Sequence, residues 1–61
     1  MPDETLLTVE DVAQRLQIKP DTVRRWIRTG KLPAIELGGR LRIDPKDLQM
    51  FLDKHRRKLP D

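Results

Sequence analysis

Residues 22 to 30 read Thr22-Val23-Arg24-Arg25-Trp26-Ile27-Arg28-Thr29-Gly30, and at about 100° per residue they sort into two faces. Val23, Trp26 and Ile27 gather on one side. Asp21, Arg24, Arg25 and Arg28 fall on the other at i, i+3, i+4 and i+7. One face is built to pack, and the other carries three guanidiniums, whose planar donor forks fit phosphate oxygens and the O6/N7 edge of guanine. The plainer alternative is a solvated face balanced by acids, but only Asp21 offsets three arginines there. At this spacing Trp26 reads as a core residue rather than a base-stacking one.

Working upstream, Thr8 predicts a helix start: its hydroxyl caps free backbone N–H groups, Asp11 completes a capping-box pair, and Leu7 with Val12 forms a staple. Val9, Val12, Ala13 and Leu16 then keep helical spacing and leave Glu10, Asp11, Gln14 and Arg15 in water. Gln17-Ile18-Lys19 is a short connection. Pro20 at the first helical position, with Asp21 next to it, opens the second helix. Gly30 suits the left-handed position after its end, and Pro33 forbids continuation. Two short helices joined by a tight turn form a helix-turn-helix.

Downstream the apolar period changes to two, with Ile35 and Leu37 on one arm, Leu41 and Ile43 on the other, and Gly38-Gly39 between. This predicts a hairpin. Residues directly opposite one another share a face, so a two-residue Gly-Gly loop would set Leu37 against Arg40. A three-residue loop Gly38-Gly39-Arg40 pairs Leu37 with Leu41, Ile35 with Ile43 and Glu36 with Arg42. That register is the expectation, with Arg40 at the tip beside glycines that permit close approach to a partner. Asp44-Pro45 then repeats a helix start, with Ile43 and Leu48 as staple. Leu48, Phe51, Leu52 and His55 keep helical spacing along a third helix.

Sixty-one residues suffice for one modest core. Without cysteine the domain relies on packing and caps rather than disulfides or thiolate metal sites. His55 is the only histidine, so no metal site is expected. The chain also lacks serine, cysteine and tyrosine, which removes most covalent nucleophiles. Asp11, Asp21, Asp44 and Asp47 stand where caps and dipoles want acids, whereas Asp3, Glu4, Glu10, Glu36 and Asp53 show no pairing with a candidate base. No catalytic residue, enzyme activity, cofactor or small-molecule ligand is expected. The acidic start and the absence of a long apolar run predict a cytoplasmic, nucleoid-associated protein that binds no membrane.

Charge is unevenly placed. Residues 1 to 18 hold one base and four acids, residues 19 to 43 seven and two, and residues 44 to 61 five and four. A basic centre confined to one helix and its neighbour is the electrostatic footprint of nucleic acid, where counterion release supplies affinity. A membrane-surface helix would need its apolar side free, and here the core takes it.

Laid out in this way, the chain resembles the excisionase and MerR-like winged helix-turn-helix DNA-binding domains of bacteria, phages and mobile elements. The likeness spans Leu7 to Leu52. It is carried by Leu-Thr-Val-Glu-Asp-Val-Ala at 7 to 13, by Pro-Asp-Thr-Val-Arg-Arg-Trp-Ile-Arg-Thr-Gly-Lys-Leu-Pro at 20 to 33, and by Leu-Gly-Gly-Arg-Leu-Arg-Ile at 37 to 43 before Asp44-Pro45. It implies an α-rich (α+β) fold with two short helices, a β-hairpin wing and a C-terminal helix. It also implies double-stranded DNA as partner, with the second helix in the major groove and the wing on the neighbouring backbone or minor groove. By resemblance Thr22, Arg24, Arg25 and Arg28 are groove residues, Lys31 is a flanking phosphate contact, and Arg40 and Arg42 are wing contacts. Two positions depart from the family pattern. Gln17 stands where the turn usually has glycine, at a cost of roughly 1 kcal/mol if the backbone there is left-handed. Lys19 replaces a small hydroxyl cap and offers a charge to a phosphate instead.

The expected organisation is a single winged helix-turn-helix domain over residues 1 to 61, with 1 to 6 a flexible N-terminus and 59 to 61 a tail. The expected role is transcriptional regulation or architectural work in recombination. The alternatives are a module that binds an acidic protein surface and a targeting domain of a recombinase or transposase. Arg56-Arg57-Lys58 suits DNA, a partner, or solubility equally. Few residues remain past Leu52 for a dimerisation coiled coil, so a monomer in solution is expected, with head-to-tail self-association on DNA through its oppositely charged ends.

Overall fold

Three helices and a two-stranded hairpin follow one another along the described residues, 5 to 57, of a computed structural model. They are α1 (Val9–Leu16), α2 (Pro20–Arg28), β1 (Ile35–Leu37), β2 (Arg40–Arg42) and α3 (Pro45–Lys54). The predictions made for residues 1 to 4 and 58 to 61 lie outside the described residues.

Helices α1 and α3 begin where a side chain satisfies free N–H groups of the first turn. At α1 the Asp11 N–H donates to Thr8 Oγ1 at 2.9 Å while the Thr8 N–H donates to Asp11 Oδ2 at 3.0 Å, closing the capping box. These bonds favour the carboxylate, so Asp11 lies below its ordinary pKa of 3.8; the Thr8 backbone donor is the main cause, and Arg15 and Arg42 add to it. At α3 the Lys46 N–H donates to Asp44 Oδ1 at 2.9 Å ahead of Pro45. The N-cap of α2 is Lys19, which makes no side-chain cap, as expected.

The turn between α1 and α2 is held by one residue. Gln17 has φ 59° and ψ 46°, a left-handed conformation that glycine adopts without steric cost. The Ile18 N–H donates to the Ala13 carbonyl at 2.9 Å and closes the end of α1. Gly30, at φ 83°, plays the corresponding part after α2. The Lys31 and Leu32 N–H groups both donate to the Trp26 carbonyl, at 2.8 and 3.2 Å, and turn Leu32 inward.

Leu7, Val9, Val12, Ala13, Val23, Leu32, Ile43, Leu48 and Phe51 form the core. Val12, Val23 and Ile43 are wholly buried and Leu32 nearly so. Leu32 escapes sequence patterning because it lies between a helix end and a proline, where no period applies. Trp26 packs on this core with its ring centroid 4.8 Å from that of Phe51, tying α2 to α3. The Phe51 ring meets the His55 ring at 4.3 Å, and His55 Nδ1 lies 2.8 Å from the Phe51 carbonyl oxygen.

The hairpin corrects the expected register. The loop is two residues, Gly38-Gly39, and the pairs are Ile35 with Arg42, Glu36 with Leu41 and Leu37 with Arg40. Arg40 therefore begins β2 instead of sitting at the tip. Both glycines have positive φ, 56° and 81°, the backbone of a two-residue loop whose twist matches the strands it joins. That turn outweighs any gain from matching apolar arms. Anchoring at the base acts the same way: Leu7 and Ile43 exchange backbone hydrogen bonds of 2.8 and 2.7 Å, which fixes Ile43 in the core. Leu41 and Ala34 pack inward with it, while Ile35 and Leu37 are left exposed on the outer face.

Candidate nucleic-acid interface

The outer face of α2 carries Arg24, Arg25 and Arg28, all exposed, as the helical period requires. Val23 on the inner face is wholly buried. Arg25 and Arg28 have no ion-pair partner among the described residues, so their donors are free for an external acceptor. Thr29 closes the helix by donating its hydroxyl to the Arg25 carbonyl at 2.9 Å.

Arg24 is differently placed. Its NH2 donates to Glu10 on α1 at 2.9 Å and its NH1 reaches Asp21 at 3.3 Å. The guanidinium is thus held from one side by two carboxylates, and its remaining donors are available. The expectation that Glu10 has no basic partner is corrected, because the α1–α2 crossing brings together residues fourteen apart in sequence. Asp53 is corrected likewise, as it accepts from Arg56 at 2.8 Å and from Gln49 at 3.2 Å. These two bonds, Arg56 first, lower the Asp53 pKa. The helical period cannot reveal the Glu10–Arg24 pair, because the angle between two helices is a tertiary property.

The hairpin meets α2 at a concavity of about 360 Å³ whose wall includes Thr8, Glu10, Arg24, Arg40, Leu41 and Arg42. Three arginines from two elements line one hollow, next to the exposed Arg25 and Arg28. Arg42 is half-buried and spends one donor on the carbonyl of Leu41 at 2.9 Å, whereas Arg40 is exposed. Lys19 is exposed at the start of α2, and Thr22, one turn further on, is half-buried. Lys31 is exposed but lines a second hollow, with Asp47, Met50 and Lys54 of α3, rather than the one that holds Arg24. The structure therefore brings Arg24, Arg40 and Arg42 together and sets Lys31 apart from them.

Among the described residues no group of acidic, histidine or cysteine side chains is placed to hold a metal ion, and no helix is long and apolar enough to cross a membrane.

Known proteins agree with this architecture. The helix-turn-helix domain family matches residues 6 to 56. An uncharacterized protein of Bacillus subtilis (strain 168), YvgK, is 33% identical over 60 residues, which cover 98% of this chain and 20% of that relative. The chain thus spans about a fifth of the length of the relative that it matches. No solved structure matches it. Capped helices, left-handed turn, arginine-faced second helix and hairpin all fall within the matched span, and the chain belongs to the excisionase-like helix-turn-helix family, a membership that suggests DNA binding.

Proposed function

We propose that this domain binds double-stranded DNA, with α2 in the major groove and the hairpin on the adjacent backbone or minor groove. The observation that carries the reading is the meeting of Arg24 with Arg40 and Arg42 at one concavity beside the exposed Arg25 and Arg28. Guanidiniums drawn from a helix and a neighbouring hairpin suit a surface whose acceptors alternate between base edges and phosphates. Arg25 and Arg28 read or anchor, Arg24 is oriented by Glu10 and Asp21, and Lys19, Thr22 and Lys31 flank the contact.

The role is that of a transcriptional regulator or an architectural recombination factor in the cytoplasm, working at the nucleoid by binding alone. The relative's fivefold greater length favours a second setting, in which such a unit targets a larger protein to its site. Free protein is monomeric and successive copies meet head to tail on direct repeats, the acidic first third of one against the basic centre of the next.

Selection of bound sequences from a random duplex pool tests the reading. Recovery of a motif supports it, as does a slope of log affinity against log salt of roughly −4 to −6, the value for five to seven ionic contacts. Salt-insensitive binding to an acidic protein, with no duplex retained, overturns it in favour of a protein-interaction module.

A further inference from the structure

The hairpin register puts two kinds of side chain on one face that the sequence pattern separates. Directly opposed residues share a face, so Leu37 stands beside Arg40 and Ile35 beside Arg42. Arg40 and Arg42 line the hollow that also holds Arg24, together with Leu41 of the opposite face, so the hairpin edge that carries these arginines stands beside α2. Leu37 is 52% exposed and Ile35 37%. An apolar side chain held out at the end of a projecting hairpin gains nothing for the core, and the inward-packed residues of the hairpin are Leu41, Ala34 and Ile43.

Three features of this face fit the minor groove of a duplex. The tip is Gly38-Gly39, with open space where side chains would stand, so only the thickness of the backbone leads. Arg40 follows directly behind, and the narrow groove's negative potential attracts arginine. The acid of the hairpin, Glu36, pairs with Leu41 on the opposite face and adds no negative charge here. Apolar side chains carried into the minor groove separate stacked base pairs and kink the duplex. We infer that Leu37, with Ile35 behind it, is an apolar wedge that enters the minor groove next to Arg40 and bends the DNA. The inference deepens the DNA-binding reading and rests on it.

The test uses the full chain on a selected duplex labelled at both ends for energy transfer, with 2-aminopurine placed at successive steps under the hairpin. Wild type is expected to shorten the end-to-end distance and to brighten 2-aminopurine at one step. Leu37→Ser is expected to abolish both signals while preserving the salt slope and the melting curve of the free protein. Leu37→Met, unbranched but apolar, is expected to restore the bend. Arg40→Ala is expected to reduce the salt slope by about 1. A straight duplex under wild-type protein, or a bend unchanged in Leu37→Ser, overturns the wedge while DNA binding stands. Loss of a concentration-dependent dimer in Leu37→Ser, with the bend intact, overturns it and assigns the face to a second copy. Failure of wild type to retain any duplex removes the DNA-binding reading itself.

Discussion

Helix α2 and the β1–β2 hairpin carry the same kinds of residue, apolar side chains interleaved with arginine, yet they use them in opposite ways. On α2 the apolar residues turn inward and the arginines outward. On the hairpin Ile35 and Leu37 share the outer face with Arg40 and Arg42. A helix has a fixed period, so residue type alone determines which side is buried. A hairpin has two arms whose relative parity depends on the number of residues in the loop, and one residue more or less reverses a whole arm. Composition therefore determines the faces of α2, and turn geometry determines those of the hairpin.

The sharpest way to break this contrast is to place a carboxylate at an apolar position in each region. Val23→Asp buries a charge among apolar side chains, with no buried polar partner among the described residues, and is expected to remove most or all of the roughly 3 to 5 kcal/mol that a domain of this size commands. Leu37→Asp, on an exposed side chain, is expected to change stability by no more than about 0.5 kcal/mol. Thermal denaturation followed by circular dichroism compares the two, and equal losses would mean that Leu37 is a core residue after all.

Binding energetics sharpen the contrast at a smaller scale. Arg25→Ala or Arg28→Ala is expected to cost about 1 to 3 kcal/mol on a selected duplex, relaxing sequence preference if the residue reads a base and weakening all sequences alike if it holds a phosphate. Glu10→Gln frees Arg24 on one side and removes a negative charge from the hollow. Its expected effect is tighter binding to unrelated DNA and a smaller ratio between specific and unrelated duplexes, by several-fold. Unchanged discrimination in competition titrations would show that the carboxylate does not orient Arg24.

A smaller effect concerns the turn that joins α1 to α2. Gln17→Gly is expected to raise stability by up to about 1 kcal/mol, since glycine meets no Cβ clash at φ 59°. Smallest of all is the response to acid. The pKa values of Asp11 and Asp53 are lowered in the folded state, so their contribution is present above the ordinary value of 3.8 and disappears as pH falls through the folded values. Melting temperature is expected to decline below pH 4, and Asp11→Asn to flatten that decline.

Much of this architecture is legible in the residues themselves. Thr8 with Asp11, Pro20, Gly30 and Asp44-Pro45 each mark a helix boundary through chemistry confined to one turn, and the arginine face of α2 follows from period alone. Three features are not legible from residue periodicity. The hairpin register follows the positive-φ Gly38-Gly39 turn rather than the matching of apolar arms, the Glu10–Arg24 pair depends on a helix crossing, and Leu32 lies in a loop that two bonds to Trp26 fold inward.

The separation of labour across α2 bears on how such a domain changes its target. Val23 makes no contact with solvent and the side chains of Arg25 and Arg28 make no ion pair among the described residues, so the positions proposed to read DNA are not the positions that fold. A library randomised at Arg25 and Arg28 would sample new recognition preferences from members that nearly all remain folded. Descendants of one ancestral domain can then diverge in the sites they occupy without first acquiring compensating substitutions in the core.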